Sequence, residues 1–293
     1  MPSLILAPLR GVTIRAFRTV FADQIAEAGF DEAITPFIAA AHGLNPLKDR
    51  EIAGCSPSDG PAGSMRTTPQ LIGKDPVALR EALLKLRDAG FDTADLNCGC
   101  PFPMVRNKGR GSGLLRTPDV LARMIEAGCE AMGEGRFSVK ARLGVERTDE
   151  LLKLMPVING FPLRFLTVHA RTAKQMYEGA CDWGAYGRVA EAAKMQVVPN
   201  GDLPCPVAEK GGEASAPRMV GRPFIRSLGQ REDVGELLSR YIGYSMDELK
   251  SQRAVLGRVK ELVAYWRETP RWRRRWDVVK IARSLDELAL ALR

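Results

Sequence analysis

Apolar residues along the first two thirds of the chain alternate between two periods. Short apolar runs predict strands at residues 3–8, 32–35, 69–73, 91–96, 137–141, 163–169, 196–200 and 218–220. Between them, apolar positions recur every three or four residues and predict helices at 14–28, 76–89, 120–132, 150–158 and 183–193. In the second of these, Val77, Leu79, Leu83, Leu84 and Leu86 supply the apolar side, and in the third Thr117 and Pro118 make a helix start. Eight strands alternating with helices predict an α/β fold, a (β/α)8 TIM barrel. An open doubly wound sheet is the alternative, but no Gly-x-Gly-x-x-Gly follows the first strand.

Some stretches fit the pattern poorly. Residues 42–65, rich in Gly, Pro, Ser and Asp, read as one long loop. Pro199 falls inside the seventh strand, and residues 214–217 make a poor approach to the eighth. After Gly229 the strand period disappears, and residues 232–242, 245–267 and 271–292 read as helices. The expected organisation is a barrel over residues 1–229 and an all-helical domain over 230–293.

Charge sharpens that division. The net charge is +8, and residues 251–293 carry eleven Lys or Arg against five acids. Within this tail, Arg258, Lys260, Arg267, Arg271, Arg273, Arg274 and Arg275 interleave with Trp266, Trp272 and Trp276, which points to an anionic partner such as a nucleic acid. No run reaches the roughly 18 apolar residues of a spanning helix, and residues 1–7 lack the charge and length of a secretory signal. A cytoplasmic location without membrane contact is expected, and with no protein partner implied, a monomer. Six cysteines dispersed over 293 residues read as reduced thiols, and Cys98-Gly99-Cys100 lacks the spacing and second pair of a zinc site, so no metal is expected.

Candidate chemistry gathers at predicted strand ends. Asp95-Leu96-Asn97-Cys98-Gly99-Cys100-Pro101 puts two thiols beyond the fourth strand, on the face where barrel enzymes collect their catalytic groups. Gly109, Gly111 and Gly113 make the following segment mobile by expectation, and Arg106, Lys108 and Arg110 give it positive charge. Lys140 and Arg142 share one side of the fifth strand by its period of two. His169, one of two histidines, and Arg171 end the sixth strand, while Asn200-Gly201-Asp202 and Gly221-Arg222 end the seventh and eighth, where this fold holds phosphates. Arg10 and Gln70 complete the polar inventory.

The Asp-Leu-Asn-Cys-Gly-Cys-Pro segment with its Gly-rich continuation resembles the active-site segment of the tRNA-dihydrouridine synthases, flavoenzymes that reduce uridines in tRNA. The likeness extends through Ala7-Pro8, Gly11-Val12-Thr13, Gln70, residues 140–144, 169–172, Tyr177, Asp182-Trp183, 200–202 and 221–222. It implies FMN bordered by Pro8, Leu9 and Arg10, with Gln70 at its ring edge, Lys140 beside N1 and O2, and His169 between flavin and substrate. It further implies that Asn200, Gly201, Asp202, Gly221 and Arg222 hold the FMN phosphate and that Asn97, Arg142 and Arg171 meet the uridine. By the same resemblance Cys100, the cysteine directly before proline, is the proton donor, NADPH or NADH is the reductant, and tRNA is the partner. Two other readings remain open: a flavoenzyme acting on a free pyrimidine or small enone, and an RNA-binding homologue without activity. The basic tail favours the tRNA reading, since a small-molecule enzyme has no need of it.

Overall fold

The computed structural model describes residues 3–59, 65–204 and 216–292. Eight parallel staves close on themselves in it: β1 (Leu4–Leu6), β2 (Glu32–Ile34), β3 (Met65–Thr68 and, past Pro69, Gln70–Ile72), β4 (Ala94–Cys98), β5 (Phe137–Gly144), β6 (Leu166–Thr172), β7 (Val197–Asn200) and β8 (Arg218–Val220). The circle closes through β3. Its first half pairs with β2 at Ile34↔Thr68 and its second with β4 at Leu71↔Leu96, while β8 returns to β1 at Leu6↔Val220. Each stave is covered inside and out, so its residues are nearly all buried, the polar ones such as Asp95, Ser138 and Thr167 included.

Ile5, Ala7, Ile34, Phe165, Val198 and Met219 fill the barrel interior. At its closed end, Arg164 donates to both carboxylate oxygens of Glu32, each at 2.7 Å, and Thr68 donates to one of them at 2.6 Å. This ion pair is almost fully enclosed, and its remaining acceptor capacity is met, which is the condition under which a buried pair is tolerated.

Several expected elements are redrawn. The stave expected at 69–73 starts at Met65, because Thr67 and Thr68 are buried although polar. The helix expected at 14–28 is two, Arg15–Val20 and Ala22–Glu27, separated at Phe21, whose ring stacks on Phe17 at 4.6 Å. Val77 stands 61% exposed rather than on the apolar side of Pro76–Asp88. The region read as a long loop contains a short helix, Pro46–Lys48, and a strand, Ser58–Asp59, antiparallel to Met65–Thr68. Pro199 is accommodated because β7 meets β8 at a single rung, Asn200↔Met219, which the Asn200 amide reinforces by donating to the Met219 carbonyl at 3.0 Å. Cys205 and residues 214–215 of the weak approach to β8 lie outside the described residues.

A helix absent from the sequence reading, Arg222–Leu228, follows β8 and leads to Val234–Leu249, Gln252–Val263, Arg273–Val279 and Leu285–Leu292. The first tail helix runs to Leu249 and is ended by Lys250 in the left-handed conformation, φ 52°. These helices share one apolar cluster with the first two barrel helices. Trp266 and Trp272 lie at its centre, almost wholly buried, and their indole N–H groups donate to the Ile225 and Gly229 carbonyls at 2.6 Å. These two tryptophans therefore pack the tail against the barrel and present no ring to a ligand.

Candidate active site

The loop after β4 is held from below. Asn97 Oδ1 accepts from the backbone N–H of Gly99 at 3.1 Å and of Cys100 at 2.8 Å, while its amide donates to Gln70 Oε1 at 2.8 Å. Gln70 in turn donates to Asp95 at 2.8 Å, and Ser138 donates to the other Asp95 oxygen at 2.7 Å. Burial raises the Asp95 carboxyl to about 6 despite these donors. From above, Ser112 donates to the Cys100 carbonyl at 2.8 Å. The Gly-rich segment, expected to be mobile, forms a buried turn over Gly111–Arg116. Gly111 is required there: φ is +58°, and a Cβ would lie 2.8 Å from that of Cys100.

Cys100 and Cys98 part company at this point. Cys98 is the last residue of β4 and faces the packing between staves and helices, whereas Cys100 lines a cavity of about 520 Å³ at the carboxyl ends of the staves. Burial pushes the Cys100 thiol up, with Arg10 and Arg142 only partly opposing, so the group stays protonated at neutral pH.

Strand register carries the other polar groups around the cavity mouth. Asn97 pairs with Lys140, Arg142 with His169, and His169 with Asn200. Lys140 donates to Asn200 at 2.8 Å, and Arg142 donates to the carbonyls of Gly99 at 2.9 Å, Thr172 at 2.9 Å and Met176 at 2.6 Å. Burial, then Arg142, lowers the Lys140 ammonium to about 7, and burial lowers Arg142 to about 10. His169 is held well below its ordinary value by burial and by Arg142, Lys140, Arg171 and Arg222. It is therefore neutral, and since Arg171 approaches its Nε2 at 3.3 Å as a donor, the ring proton belongs on Nδ1.

Not every expected residue reaches the cavity. Pro8, Leu9, Arg10, Asn97, Cys100, Lys140, Arg142, His169, Asn200, Gly201, Gly221 and Arg222 line it. Thr13 shapes the first of these by accepting from the Leu9 N–H at 2.8 Å and donating to the Ala7 carbonyl at 3.0 Å. Gln70 stands one layer beneath, fully buried, as the support of Asn97. Arg171 is 1% exposed, its guanidinium taken up by Glu178, Gly179, His169 and Asp202. Asp202 is turned toward Arg171 and Arg222; burial works to raise its carboxyl, and the two arginines hold it below the usual range.

Seven lining residues were not expected: Pro36, Phe37, Arg50, Phe102, Met104, Glu261 and Tyr265. The last two come from the tail, and their one-turn spacing was the sole sequence trace of a shared face. Of the tail cations, Arg258 pairs with Glu248 and Ser245, and Lys260 donates to the carbonyls of Lys280 at 3.0 Å and Ala282 at 2.5 Å, so both stabilise the tail itself. Arg271 donates to the Arg231 carbonyl at 2.5 Å, and Arg275 stands 5.7 Å over the Trp272 ring. Arg267, Arg273 and Arg274 are exposed.

The sequence and the fold have known counterparts. The family model for dihydrouridine synthase matches residues 5–210. The chain belongs to the dihydrouridine synthase family. A probable tRNA-dihydrouridine synthase of Staphylococcus aureus is 30% identical over 283 residues, covering 87% of this chain and 82% of that protein. One of Rhodobacter capsulatus is 30% identical over 204 residues, 69% of this chain and 60% of its own length. The tRNA-dihydrouridine(16) synthase of Ralstonia nicotianae is likewise 30% identical over 207 residues, 69% of this chain and 62% of that protein. The match thus spans about three fifths of the latter two relatives.

Among solved structures, the Zymomonas mobilis old yellow enzyme homologue superposes with a TM-score of 0.51 at 12% identity, covering 76% of this chain and 85% of that one. Morphinone reductase superposes with a TM-score of 0.50 at 13% identity, covering 76% and 82%. At such identity the chain shares their barrel, and no more is inferred from the likeness. Among the described residues, no helix is long and apolar enough to cross a membrane.

Proposed function

We propose that this member of the dihydrouridine synthase family reduces the C5–C6 double bond of a D-loop uridine in tRNA, with FMN as cofactor and NADPH or NADH as reductant. The observation that carries the reading is the convergence of a protonated Cys100, Lys140, Arg142, His169 and Arg222 on one cavity. The wall suits an anionic group, because five cations, Arg10, Arg50, Lys140, Arg142 and Arg222, face a single carboxylate among the described residues, and burial, with Arg142 adding to it, depresses Lys140 and His169. Pro8, Leu9, Arg10, Lys140, His169, Asn200, Gly201, Gly221 and Arg222 would hold FMN, with Arg222 fixed by its 2.7 Å bond to Asp202. When bound, the flavin supplies a hydride to C6 of the uracil.

The chain's own residues do the rest. Lys140 gives positive charge to whatever electron-rich atoms lie beside it, and neutral His169 offers the Nδ1 proton as a donor. Arg142, locked by three carbonyls, holds both the Cys100 loop and the turn at Met176. The Cys100 thiol delivers a proton to C5 and is restored from solvent; its raised pKa suits an acid and would disable a nucleophile. The unit after residue 229 serves as the tRNA-binding domain through its exposed arginines.

The test takes the purified protein and tRNA lacking dihydrouridine. A flavin spectrum in the protein as isolated or after adding FMN, and dihydrouridine formed in the tRNA with NADPH present, are expected. A protein that takes up no FMN, or that consumes NADPH without modifying tRNA, contradicts the reading.

A further inference from the structure

The cavity wall is rich in cationic donors and poor in charged acceptors. Arg10, Arg50, Lys140, Arg142 and Arg222 donate only. Asn97 and Asn200 also line it, yet the oxygen of Asn97 is taken by two backbone N–H groups and that of Asn200 by Lys140. His169 presents its acceptor nitrogen to Arg171. The Tyr177 and Tyr265 hydroxyls can accept as well as donate, which leaves Glu261 as the one carboxylate on the wall, solvent-accessible, with no hydrogen bond or ion pair among the described residues.

Its position is fixed by the tail. Glu261 lies in the helix Gln252–Val263 and lays its carboxylate against Gly11, so closely that a Cβ there would come within 2.3 Å of Oε2. Gly11, Arg50 and Glu261 are shared with a smaller neighbouring cavity of about 220 Å³, which places the carboxylate on the rim between the two. Arg10, which lies over the Phe37 ring at 5.6 Å, and Arg50 act on the Glu261 charge at a distance, and neither forms a hydrogen bond or ion pair with its oxygens among the described residues.

Uracil has one ring donor, N3–H, beside two carbonyl acceptors. The carbonyls find donors anywhere on this wall, whereas the N–H finds one unengaged carboxylate. We infer that Glu261, contributed by the tail, accepts a hydrogen bond from N3–H of the target uracil and sets its orientation over the reacting atoms. This rests on the uridine-reducing activity proposed above. It makes the tail a wall of the substrate cavity as well as a binding appendage, and gives the site a criterion that rejects bases lacking a donor at that ring position.

The experiment compares the full-length parent, E261A and E261Q on two tRNAs, one with uridine and one with 3-methyluridine at the reduced position. It reads dihydrouridine-forming kcat/KM and flavin content. An N–H to a charged acceptor is worth roughly 10- to 100-fold. The parent should prefer uridine by that factor, E261A should lose most of the preference by losing rate on uridine alone, and E261Q, which keeps an acceptor oxygen, should retain part of it. Flavin content should be equal in all three. An undiminished preference in E261A overturns the assignment, and loss of flavin in E261A overturns it by putting the carboxylate on the cofactor. A parent that reduces neither tRNA removes the uridine reading and this inference with it, which separates that failure from the other two.

Discussion

At the scale of residues, Lys140 carries a charge that depends on what shares its cavity. It sits near about 7 because burial and Arg142 both oppose its protonation. An anionic ligand reverses that balance and raises the bound-state pKa, so binding takes up a proton at alkaline pH. The sign follows: relative to a variant without the ammonium, FMN affinity is constant below about pH 6 and falls by up to about tenfold per unit as pH rises through 7. Flavin titrations of the parent and Lys140→Met from pH 5.5 to 9 measure this, and their ratio cancels the second ionisation of the flavin's phosphate, itself near about 6. A ratio that is flat or that climbs with pH contradicts the account. Lys140, Arg142, His169, Asn200 and Arg222 were legible in the sequence because strand-end position and a period of two decide which way they face. Gln70 and Arg171 were not, since their orientation is set by partners distant in sequence, Asp95 and Asn97 for one, Asp202 for the other.

At the scale of elements, the staves could be counted because each keeps a short apolar run between segments of helical period. What escaped was polar content serving the interior. Thr67 and Thr68 hid the start of β3, and Glu32 pairs with Arg164 across 132 positions. That pair yields a stability prediction. Arg164→Met leaves an enclosed carboxylate without its partner and should lower unfolding free energy by about 3–5 kcal/mol, whereas Glu32→Leu together with Arg164→Met should restore most of the loss. Urea denaturation of the parent, the single and the double variant decides it; equal destabilisation in single and double would mean that shape, and not charge, is what the pair contributes.

At the scale of the whole molecule, charge segregation was visible in the sequence and packing was not. The tail's cations were countable, but that Trp266 and Trp272 are interior, and that Arg258 and Lys260 brace the tail itself, depends on contacts between segments far apart in the chain. Of the seven tail cations that interleave with the tryptophans, Arg267, Arg273 and Arg274 are thus the ones exposed with no hydrogen bond or ion pair among the described residues, and they share only their sign of charge with Arg106, Lys108 and Arg110 of the catalytic loop. Each phosphate neutralised adds about 0.7–0.9 to the slope of log affinity against log salt. Changing Arg267, Arg273 and Arg274 to Ala should flatten that slope by about two units and leave flavin content unchanged. An unaltered slope would show these arginines to be a solvated face.

The proposed chemistry rests on one thiol, Cys100, in the cavity proposed to hold FMN, and a single-turnover experiment tests it most directly. Protein reduced with NADPH is mixed with tRNA, and flavin reoxidation and dihydrouridine are followed for the parent, Cys100→Ala and Cys98→Ala. Cys100→Ala should slow both by about 10² to 10⁴-fold, the usual worth of a positioned acid, with flavin content and reduction by NADPH intact, while Cys98→Ala stays near the parent. Parental rates in Cys100→Ala, or loss confined to Cys98→Ala, would contradict it.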